Sequence, residues 1–165
     1  MAGSLETMET HVSLRPVAVG DLPILFVHQL DPVATQLAAF PSRDREAFFA
    51  HWTKNILGNP SAVSCAILEG GEVVGHIGAW TVGASNERFT GYWVGREFWG
   101  RGIASAAMLQ FLRLESTRPL IASVARHNPG SIRVLEKAGF VRVGDDSYSL
   151  PSGARVEGFL YSLGA

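Results

Sequence analysis

Cysteine is almost absent from this sequence, since Cys65 stands alone among 165 residues. A lone cysteine forms no internal disulfide, which disfavours a small secreted domain held together by disulfide bridges and favours a reducing compartment. His11, His28 and His127 show no metal-ligand spacing with one another or with Cys65, so we expect no zinc or other metal site. The cytoplasm is the predicted location.

Charged residues are also scarce, and the 14 basic and 15 acidic side chains nearly cancel to a net charge of −1. Nucleic-acid-binding proteins usually carry a basic stripe, and no run of like charges occurs here, so we expect no nucleic-acid partner. No apolar run approaches the roughly eighteen residues of a membrane-spanning helix, which predicts no membrane association. Residues 1–10 lack the features of a signal peptide and are predicted to be a flexible leader.

Apolar residues, in contrast, make up 47% of the sequence, which is ample for a hydrophobic core. A chain of this length buries about 70% of its unfolded surface in one domain. No internal repeat or linker divides the sequence. We therefore predict a single domain over residues 11–165.

Hydrophobic periodicity predicts strands and helices in an α+β order. Asp21 has the position of a helix N-cap, and Ser42 that of the N-cap of a second helix extending to Leu57. The dipeptide Asp31-Pro32 between them is typical of a turn. Asn128 followed by Pro129 predicts the start of a further helix. The predicted strands cover 12–16, 61–68, 72–80, 89–94 and 119–125, with two more on either side of a loop at 149–154.

The order of these elements predicts a mixed, mostly antiparallel central sheet flanked by helices. Glu69-Gly70-Gly71 joins two of the strands and is typical of a hairpin. The amphipathic segment that starts at Ile103 lies between strands 89–94 and 119–125. A strand, a crossover helix and a strand form one parallel unit. Exposed strands at the C-terminal edge would also permit a homodimer.

A glycine-rich turn lies where that parallel unit passes from strand to helix, in the segment Trp99-Gly100-Arg101-Gly102-Ile103-Ala104. The N-terminus of a helix presents free backbone N–H groups with a partial positive charge, and glycines allow an anion to approach them closely. The turn lacks the Lys-Ser/Thr of a phosphate-binding Walker loop. A phosphate-bearing ligand without magnesium is one interpretation. The other is a tight turn that lets the helix pack on the sheet.

Two segments together resemble the GNAT superfamily of acetyl-CoA-dependent N-acetyltransferases. They are YWVGREFWGRGIASAA at 92–107 and VARHNPGSIRVLEKAGF at 124–140. The sequence is particularly similar to the subgroup that includes ribosomal-protein N-terminal serine/alanine acetyltransferases, and the similarity covers roughly residues 12–163. The family's glycine loop has the pattern Gln/Arg-x-x-Gly-x-Gly/Ala. Trp99 departs from this pattern at its first position, whereas Gly102 and Ala104 match it.

The resemblance implies an enzyme that transfers the acetyl group of acetyl-CoA to a primary amine, either a peptide N-terminus or a small molecule, by direct attack in a ternary complex. Backbone amides of the glycine turn would hold the coenzyme pyrophosphate. The pantetheine arm would lie along the strand at 92–94, with Asn128 contributing its side chain. The implied coenzyme-binding residues are Trp93, Val94, Trp99, Gly100, Arg101, Gly102, Ile103, Ala104 and Asn128.

Several of these residues also have a purely structural interpretation. Tyr92 and Trp93 suit core packing, Asn128 suits a helix cap, and the side chain of Arg101 suits the solvent. The tyrosine that commonly protonates the departing thiolate in the family is replaced here by Leu135. Ser131 is the substitute that the resemblance implies as the catalytic residue.

The sequence identifies no general base. Glutamate and histidine side chains suited to that chemistry occur at five positions, but nothing in the pattern places one beside the thioester. These positions are Glu46, His51, His76, Glu87 and Glu157. The missing tyrosine and the missing base leave a second hypothesis open, a non-catalytic acyl-CoA-binding or sensor module. The first two helices and the loops at 83–88 and 145–155 are expected to form the acceptor site.

Overall fold

The computed structural model describes residues 11–164, so the predicted leader at 1–10 lies outside the described residues. Seven strands form one sheet, in the spatial order β1-β2-β3-β4-β5-β7-β6. All neighbouring strands are antiparallel except β4 and β5. The strands are β1 (Val12–Pro16), β2 (Val63–Glu69), β3 (Glu72–Val82), β4 (Glu87–Val94), β5 (Leu120–Ala125), β6 (Val141–Ser149) and β7 (Arg155–Leu163).

Within residues 11–164, five α-helices flank the sheet. They are α1 (Leu22–His28), α2 (Pro32–Ala38), α3 (Arg45–His51), α4 (Ile103–Leu114) and α5 (Pro129–Lys137). A π-helical segment, Trp52–Leu57, directly continues α3. Short 3₁₀ turns lie at Val19–Asp21 and Arg96–Phe98. The arrangement confirms the predicted α+β fold with a mixed, mostly antiparallel sheet and one strand-helix-strand parallel unit.

Two hydrophobic cores lie on opposite faces of the sheet. The larger one packs α4, through Ala107, Met108 and Phe111, against the strands. The smaller one packs Leu25 of α1 and Phe48 of α3 on the other face. Side chains alternate between the faces of a strand, so neighbouring residues of β2 pack in different cores. The spacing of apolar residues in the sequence therefore allows helices to pack on both faces of the sheet.

Local signals in the sequence explain several element boundaries. Gly70 and Gly71, with φ of 57° and 84°, form the β2–β3 hairpin turn, which confirms the prediction. A turn with two positive φ angles matches the twist of the flanking strands. The side chain of Asn128 accepts a hydrogen bond from the Ser131 amide and caps α5, with Pro129 as its first residue. Gly139, with φ of 98°, follows the end of this helix.

The predictions for the N-terminal helices are partly wrong. Asp31-Pro32 begins helix α2 rather than a simple turn, because the Asp31 carboxylate caps the amides of Val33 and Ala34. Asp44, not Ser42, caps α3 by accepting a hydrogen bond from an amide of the first turn.

Asp21 precedes α1 as predicted but does not cap it with its side chain. Its carboxylate instead accepts the Ala18 amide at 2.8 Å and pairs with Arg15 at 2.7 Å. The competing guanidinium explains this use of the carboxylate, since a charged partner makes the stronger hydrogen bonds. The carboxylate thus links the end of β1 to the start of α1.

The parallel strands β4 and β5 are paired only at their beginnings, where Arg88 is opposite Leu120 and Phe89 is opposite Ile121. A buried ion pair lies beside this paired end, with Arg88 Nη2 2.9 Å from Glu115 Oε2. Only 10% and 6% of the two side chains are exposed. Burial alone would raise the pKa of Glu115, but the hydrogen bond and charge of Arg88 hold that pKa below its ordinary value.

None of the helices in residues 11–164 is both long and apolar enough to cross a membrane. The lone Cys65 lies buried in β2 as a free thiol. No group of three or more His, Cys, Asp or Glu side chains in the described part of the chain is placed to hold a metal ion.

Candidate functional site

A cleft of about 940 Å³ opens where β4 and β5 separate beyond their paired ends. The second half of each strand lines it, at 90–94 and 122–125. The start of α4 and the first turns of α5 form one side, and α2 contributes Ala34, Leu37 and Ala38. A deep cleft at a point where parallel strands diverge is a common location for a ligand site in sheets flanked by helices.

The glycine turn lies at one end of this cleft. Gly100 and Gly102 have φ of 79° and 74°, a region that side chains disfavour. A Cβ atom built on either residue would meet nothing within 4 Å. The interpretation of these glycines as close helix-to-sheet packing is therefore wrong, whereas the tight turn is confirmed. The space in front of them is open to a ligand.

Helix α4 begins directly after this turn, with Gly102 as its N-cap and no side chain bonded to the amides of its first turn. Ile103, Ala104 and Ser105 line the cleft at this helix end. The first-turn N–H groups of a helix have no partner within the helix and carry partial positive charge. The end of α4 is therefore suited to an anionic group.

The side chains of Trp99 and Arg101 are both engaged with the protein. The Trp99 indole N–H donates to the Val94 carbonyl at 2.8 Å and so ties the glycine turn to the end of β4. Arg101 forms an ion pair with Glu69 at 3.0 Å. Trp99 thereby has a structural function in this loop, in place of the Gln or Arg of the family pattern.

Nine of the ten predicted site residues line the cleft. They are Trp93, Val94, Trp99, Gly100, Gly102, Ile103, Ala104, Asn128 and Ser131. Arg101 is the exception, because its side chain lies against Glu69 and is absent from the cleft lining. The coenzyme-binding function of nine of these residues and the catalytic function of Ser131 stay predictions.

Ser131 lies at the start of α5, opposite β4. Its amide donates to Asn128 Oδ1 at 3.3 Å, and its hydroxyl oxygen accepts a hydrogen bond from the Tyr92 hydroxyl at 3.0 Å. Tyr92 is thus more than a core aromatic, since its polar end reaches the cleft. Burial raises the pKa of the Tyr92 phenol, so it remains protonated at neutral pH.

Sequence reasoning missed further cleft residues. Arg133 and Lys137, one helical turn apart on α5, bring positive charge to the cleft. Their spacing of four residues, after a capped helix start, was a signal for one shared helix face. The wall formed by Ala34 and Leu37 is not predicted from the sequence, because the Asp31-Pro32 dipeptide before it is also typical of a turn.

The end of α2 is fixed by side chains from distant parts of the chain. His127, in the β5–α5 loop, lies with Nε2 2.7 Å from the Gln36 carbonyl oxygen. The hydroxyl of Tyr148, on β6, donates to the Ala39 carbonyl at 3.2 Å. Ala39 follows α2 in the left-handed region, with φ of 51°, and is buried. These contacts hold the apolar wall of the cleft in place.

Trp93 on β4 and His76 on β3 carry polar ring atoms next to the cleft. The Trp93 indole N–H is buried and has no hydrogen-bond partner among the described residues. His76, opposite Trp93 on β3, packs its ring against Trp52 at 4.9 Å. Burial, together with the charge of His28, lowers the pKa of His76 to about 4. His76 is therefore neutral under ordinary conditions.

The five side chains considered as bases are absent from the cleft lining. The one carboxylate that lines it within residues 11–164 is Glu136. Glu136 already accepts a hydrogen bond from the Tyr161 hydroxyl, at 2.9 Å. The loop at 83–88 and the loop at 145–155 likewise contribute no residue to this lining.

Comparison with known proteins places this geometry in a family. Residues 11–141 match the model of the acetyltransferase (GNAT) domain. A Bacillus licheniformis protein named uncharacterized N-acetyltransferase p20 is 27% identical over 172 residues, which cover 96% of each chain.

Solved structures share the fold at lower identity. Spermidine N-acetyltransferase from Vibrio cholerae, solved with CoA and spermine, has a TM-score of 0.80 at 13% identity, with 93% of this chain and 95% of that chain covered. RimL, a ribosomal L7/L12 alpha-N-protein acetyltransferase solved with coenzyme A, has a TM-score of 0.75 at 22% identity, with 93% and 94% covered.

The family match extends over most of the chain and includes the glycine turn, β4 and α5. It agrees with the cleft geometry, in which the uncapped start of α4 and the unpaired part of β4 line the same space. The chain therefore belongs to the GNAT family and is an acetyl-CoA-dependent N-acetyltransferase.

Proposed function

We propose that this enzyme acetylates a primary amine, a peptide N-terminus or a small molecule, by direct attack of the amine on acetyl-CoA bound in the β4–β5 cleft. The observation that carries the proposal is the open glycine turn at the start of α4. Gly100 and Gly102 leave space that a side chain would fill, and the first turn of α4 lines the same cleft with no side-chain cap on its amides. That space fits the pyrophosphate of coenzyme A.

Backbone groups from Trp99 to Ala104 would bind the pyrophosphate, and the cations Arg133 and Lys137 would add attraction for the coenzyme phosphates. Beyond Phe89, the described residues of β4 are not paired with β5. Apart from the Val94 carbonyl, which accepts the Trp99 indole N–H, the backbone groups of this edge would bond an extended pantetheine arm as an added strand does. Asn128 would contribute its amide group from the start of α5.

Acetyl transfer needs a neutral amine held close to the thioester, stabilisation of the developing oxyanion and a route for the amine's proton. An unpaired backbone N–H near Val94 would stabilise the oxyanion. Ser131 would hydrogen-bond the departing thiolate. The amine would reach the cleft in its neutral form and release its proton to solvent, because the carboxylate of Glu136 is already engaged.

Two classes of acceptor are compatible with the proposal. RimL acts on the N-terminus of a ribosomal protein, and the V. cholerae relative acts on spermidine. The part of the cleft next to α2 is lined by Ala34, Leu37 and Ala38. An amine flanked by apolar groups would fit this wall better than a polycation, so a peptide N-terminus with a small residue is the first acceptor to test.

A binding measurement and a thiol-release assay test the proposal. Acetyl-CoA should raise the melting temperature and give a calorimetric binding signal, because a ligand that binds only the folded state stabilises it. An array of peptides and small amines should then contain an acceptor that accelerates thiol release. Binding without accelerated release for any acceptor would instead support the acyl-CoA sensor. Absence of binding at millimolar acetyl-CoA would contradict both.

Two further predictions accompany the proposed function. We expect the enzyme in the cytoplasm, where a free thiol such as Cys65 stays reduced. A homodimer would use strand β6, which ends the sheet and exposes Val141 and Val143. Light scattering at micromolar concentration tests the oligomeric state.

A further inference from the structure

The hydroxyl of Tyr92 and the hydroxyl of Ser131 meet across the cleft. Tyr92 belongs to β4 and Ser131 to the first turn of α5, and the Tyr92 hydroxyl donates to Ser131 Oγ at 3.0 Å. Both residues line the cleft. This contact joins β4 to the start of α5 across the cleft that opens beyond the paired end of β4 and β5.

The direction of this hydrogen bond determines what the serine is able to do. A serine hydroxyl has one proton to donate and two lone pairs to accept with. With Tyr92 as the donor, its proton occupies one lone pair and the serine's own proton is free for another acceptor. The backbone at Ser131 is fixed separately by the bond from its amide to Asn128 Oδ1. The side chain is thereby oriented by Tyr92 and the main chain by Asn128.

Tyr92 is suited to act as a permanent donor. Its side chain is half-buried, and burial raises the pKa of its phenol above the ordinary value, although the hydrogen bond with Ser131 opposes that shift. A phenol that stays protonated is able to donate to Ser131 across the working pH range. Leu135, by contrast, is buried with its apolar side chain in the core and offers no donor.

We propose that Tyr92 is a positioning residue, which holds the Ser131 hydroxyl with its proton directed at the sulfur that departs from acetyl-CoA. This inference rests on the proposed function. The amine nitrogen forms a bond to the acetyl carbon, the carbon–sulfur bond breaks, and its electron pair remains on sulfur. The Ser131 proton hydrogen-bonds that thiolate. The amine gives its extra proton to solvent, and the thiolate later takes one from solvent.

Turnover of the single and double variants provides the first test. Tyr92→Phe and Ser131→Ala should each lower kcat about tenfold, with little change in KM for acetyl-CoA, because a hydrogen bond to a charged group is lost mainly in the transition state. The double variant should be no slower than Ser131→Ala, since two residues that act as a unit are not additive. Multiplied losses, or wild-type kcat for Tyr92→Phe, would overturn the proposal.

A second readout needs no acceptor and no turnover. The thiol of bound coenzyme A is titrated by its thiolate absorbance in the ultraviolet, after subtraction of the same titration with dethio-coenzyme A, which has hydrogen in place of the thiol. Loss of the directed serine proton should raise the pKa of the bound thiol by about one unit. Tyr92→Phe, Ser131→Ala and the double variant should show the same rise. An unchanged thiol pKa in Tyr92→Phe would contradict the inference.

Thr81→Val is the matched control for the loss of a hydroxyl. Thr81 lies on β3, and its hydroxyl accepts a hydrogen bond from Arg88 at 3.1 Å, but it does not line the cleft. This variant should keep kcat and the thiol pKa of the wild type. Melting temperatures of all variants are measured, and kinetics are compared where each is folded.

The failure of the inference is distinct from the failure of the proposed function. If the wild-type chain binds coenzyme A and releases thiol with an acceptor, the function stands whatever Tyr92→Phe does. If the wild-type chain binds no coenzyme, the function and the inference fail together.

Discussion

The two ends of the β4–β5 pair are held together by different interactions. At the closed end, two residues of each strand are paired and the buried Arg88–Glu115 ion pair lies beside them. At the open end, the strands have separated, and the one side-chain hydrogen bond described between β4 and α5 is that of Tyr92 to Ser131. The interactions that stabilise this strand pair and the opening that admits a ligand therefore lie at opposite ends of the same two strands.

Removal of the ion pair at the closed end should have the largest effect on stability. Arg88→Ala leaves Glu115 buried without its counter-charge, which is expected to cost about 3 to 5 kcal/mol of unfolding free energy. Urea denaturation measures this loss. The affinity of the folded fraction for coenzyme A should change much less.

A paired replacement is the control for that variant. Arg88→Met combined with Glu115→Leu removes both charges and should recover most of the lost stability. If Arg88→Ala were as stable as the wild type, the closed end would not depend on this ion pair.

Low pH should reduce the unfolding free energy, because His76 on β3, next to the open end, becomes protonated. Its pKa is about 4 in the folded protein, well below the ordinary 6.5, so the unfolded chain binds the proton more readily. The stabilising contribution of neutral His76 is complete above about pH 6.5 and decreases as the pH falls towards 4. The expected loss is about 2 kcal/mol at pH 5 and about 3 kcal/mol at pH 4.

The measurement compares denaturation of the wild type and His76→Phe at several pH values. The variant should lose less stability between neutral pH and pH 5. A part of the acid effect should remain, because burial also lowers the pKa of His28, although Glu97 and Glu72 oppose that shift. Parallel pH profiles of the two proteins would show that His76 does not titrate as described.

At the open end, Gly102→Glu should abolish most coenzyme binding. A carboxylate in the space that the glycine leaves would block the pyrophosphate and repel it, so we expect at least a 100-fold loss of affinity, about 2.7 kcal/mol. The positive φ adds a strain of roughly 1 kcal/mol to the folded state. Calorimetry with coenzyme A and a denaturation curve on the same variant separate the two effects.

Gly83→Glu is the matched control for this strain. Gly83 also has a positive φ, 64°, and open space around a built Cβ, but it lies in the β3–β4 turn outside the cleft lining. It should lose similar stability and keep its affinity. Equal losses of affinity in both variants would mean that the glycine turn has no special relation to the coenzyme.

Substitutions of Asn128 should have the smallest effects and should separate its two functions. Asn128→Ala removes the capping oxygen and is expected to cost about 1 kcal/mol of stability, whereas Asn128→Ser keeps a capping oxygen and most of that stability. If the amide also contacts the coenzyme, both variants should lose about fivefold in affinity. If Asn128→Ser binds coenzyme A as tightly as the wild type, Asn128 acts as a helix cap and does not contact the coenzyme.

The parts of this fold that depend on strong local signals could be predicted from the sequence. The Gly70-Gly71 turn and the Asn128-Pro129 helix start specify their own geometry, and periodicity specifies the strands around them. Helix α2 was missed because an Asp-Pro pair is compatible with both a turn and a capped helix, and seven residues carry little periodicity. Tertiary contacts decide between them.

The candidate site likewise has one part that the sequence predicts and another that depends on tertiary contacts. Its glycine turn could be predicted because the backbone conformation is encoded in the glycines themselves. The pairing of Tyr92 with Ser131 could not, since the two residues are 39 positions apart and their contact depends on how α5 packs beside β4. The position of the Arg101 side chain outside the cleft lining likewise depends on its ion pair with Glu69, which lies at the end of β2.

The way α2 is fixed has a consequence for how the enzyme folds. The contacts that hold its last turn come from His127 and Tyr148, which are 91 and 109 residues further along the chain. Contacts of such sequence separation form late, because the intervening chain must first be ordered. During synthesis, the apolar wall of the cleft is therefore fixed in place only after the C-terminal hairpin of β6 and β7 has formed. A nascent chain that ends before Tyr148 should have much of its sheet and no finished binding site.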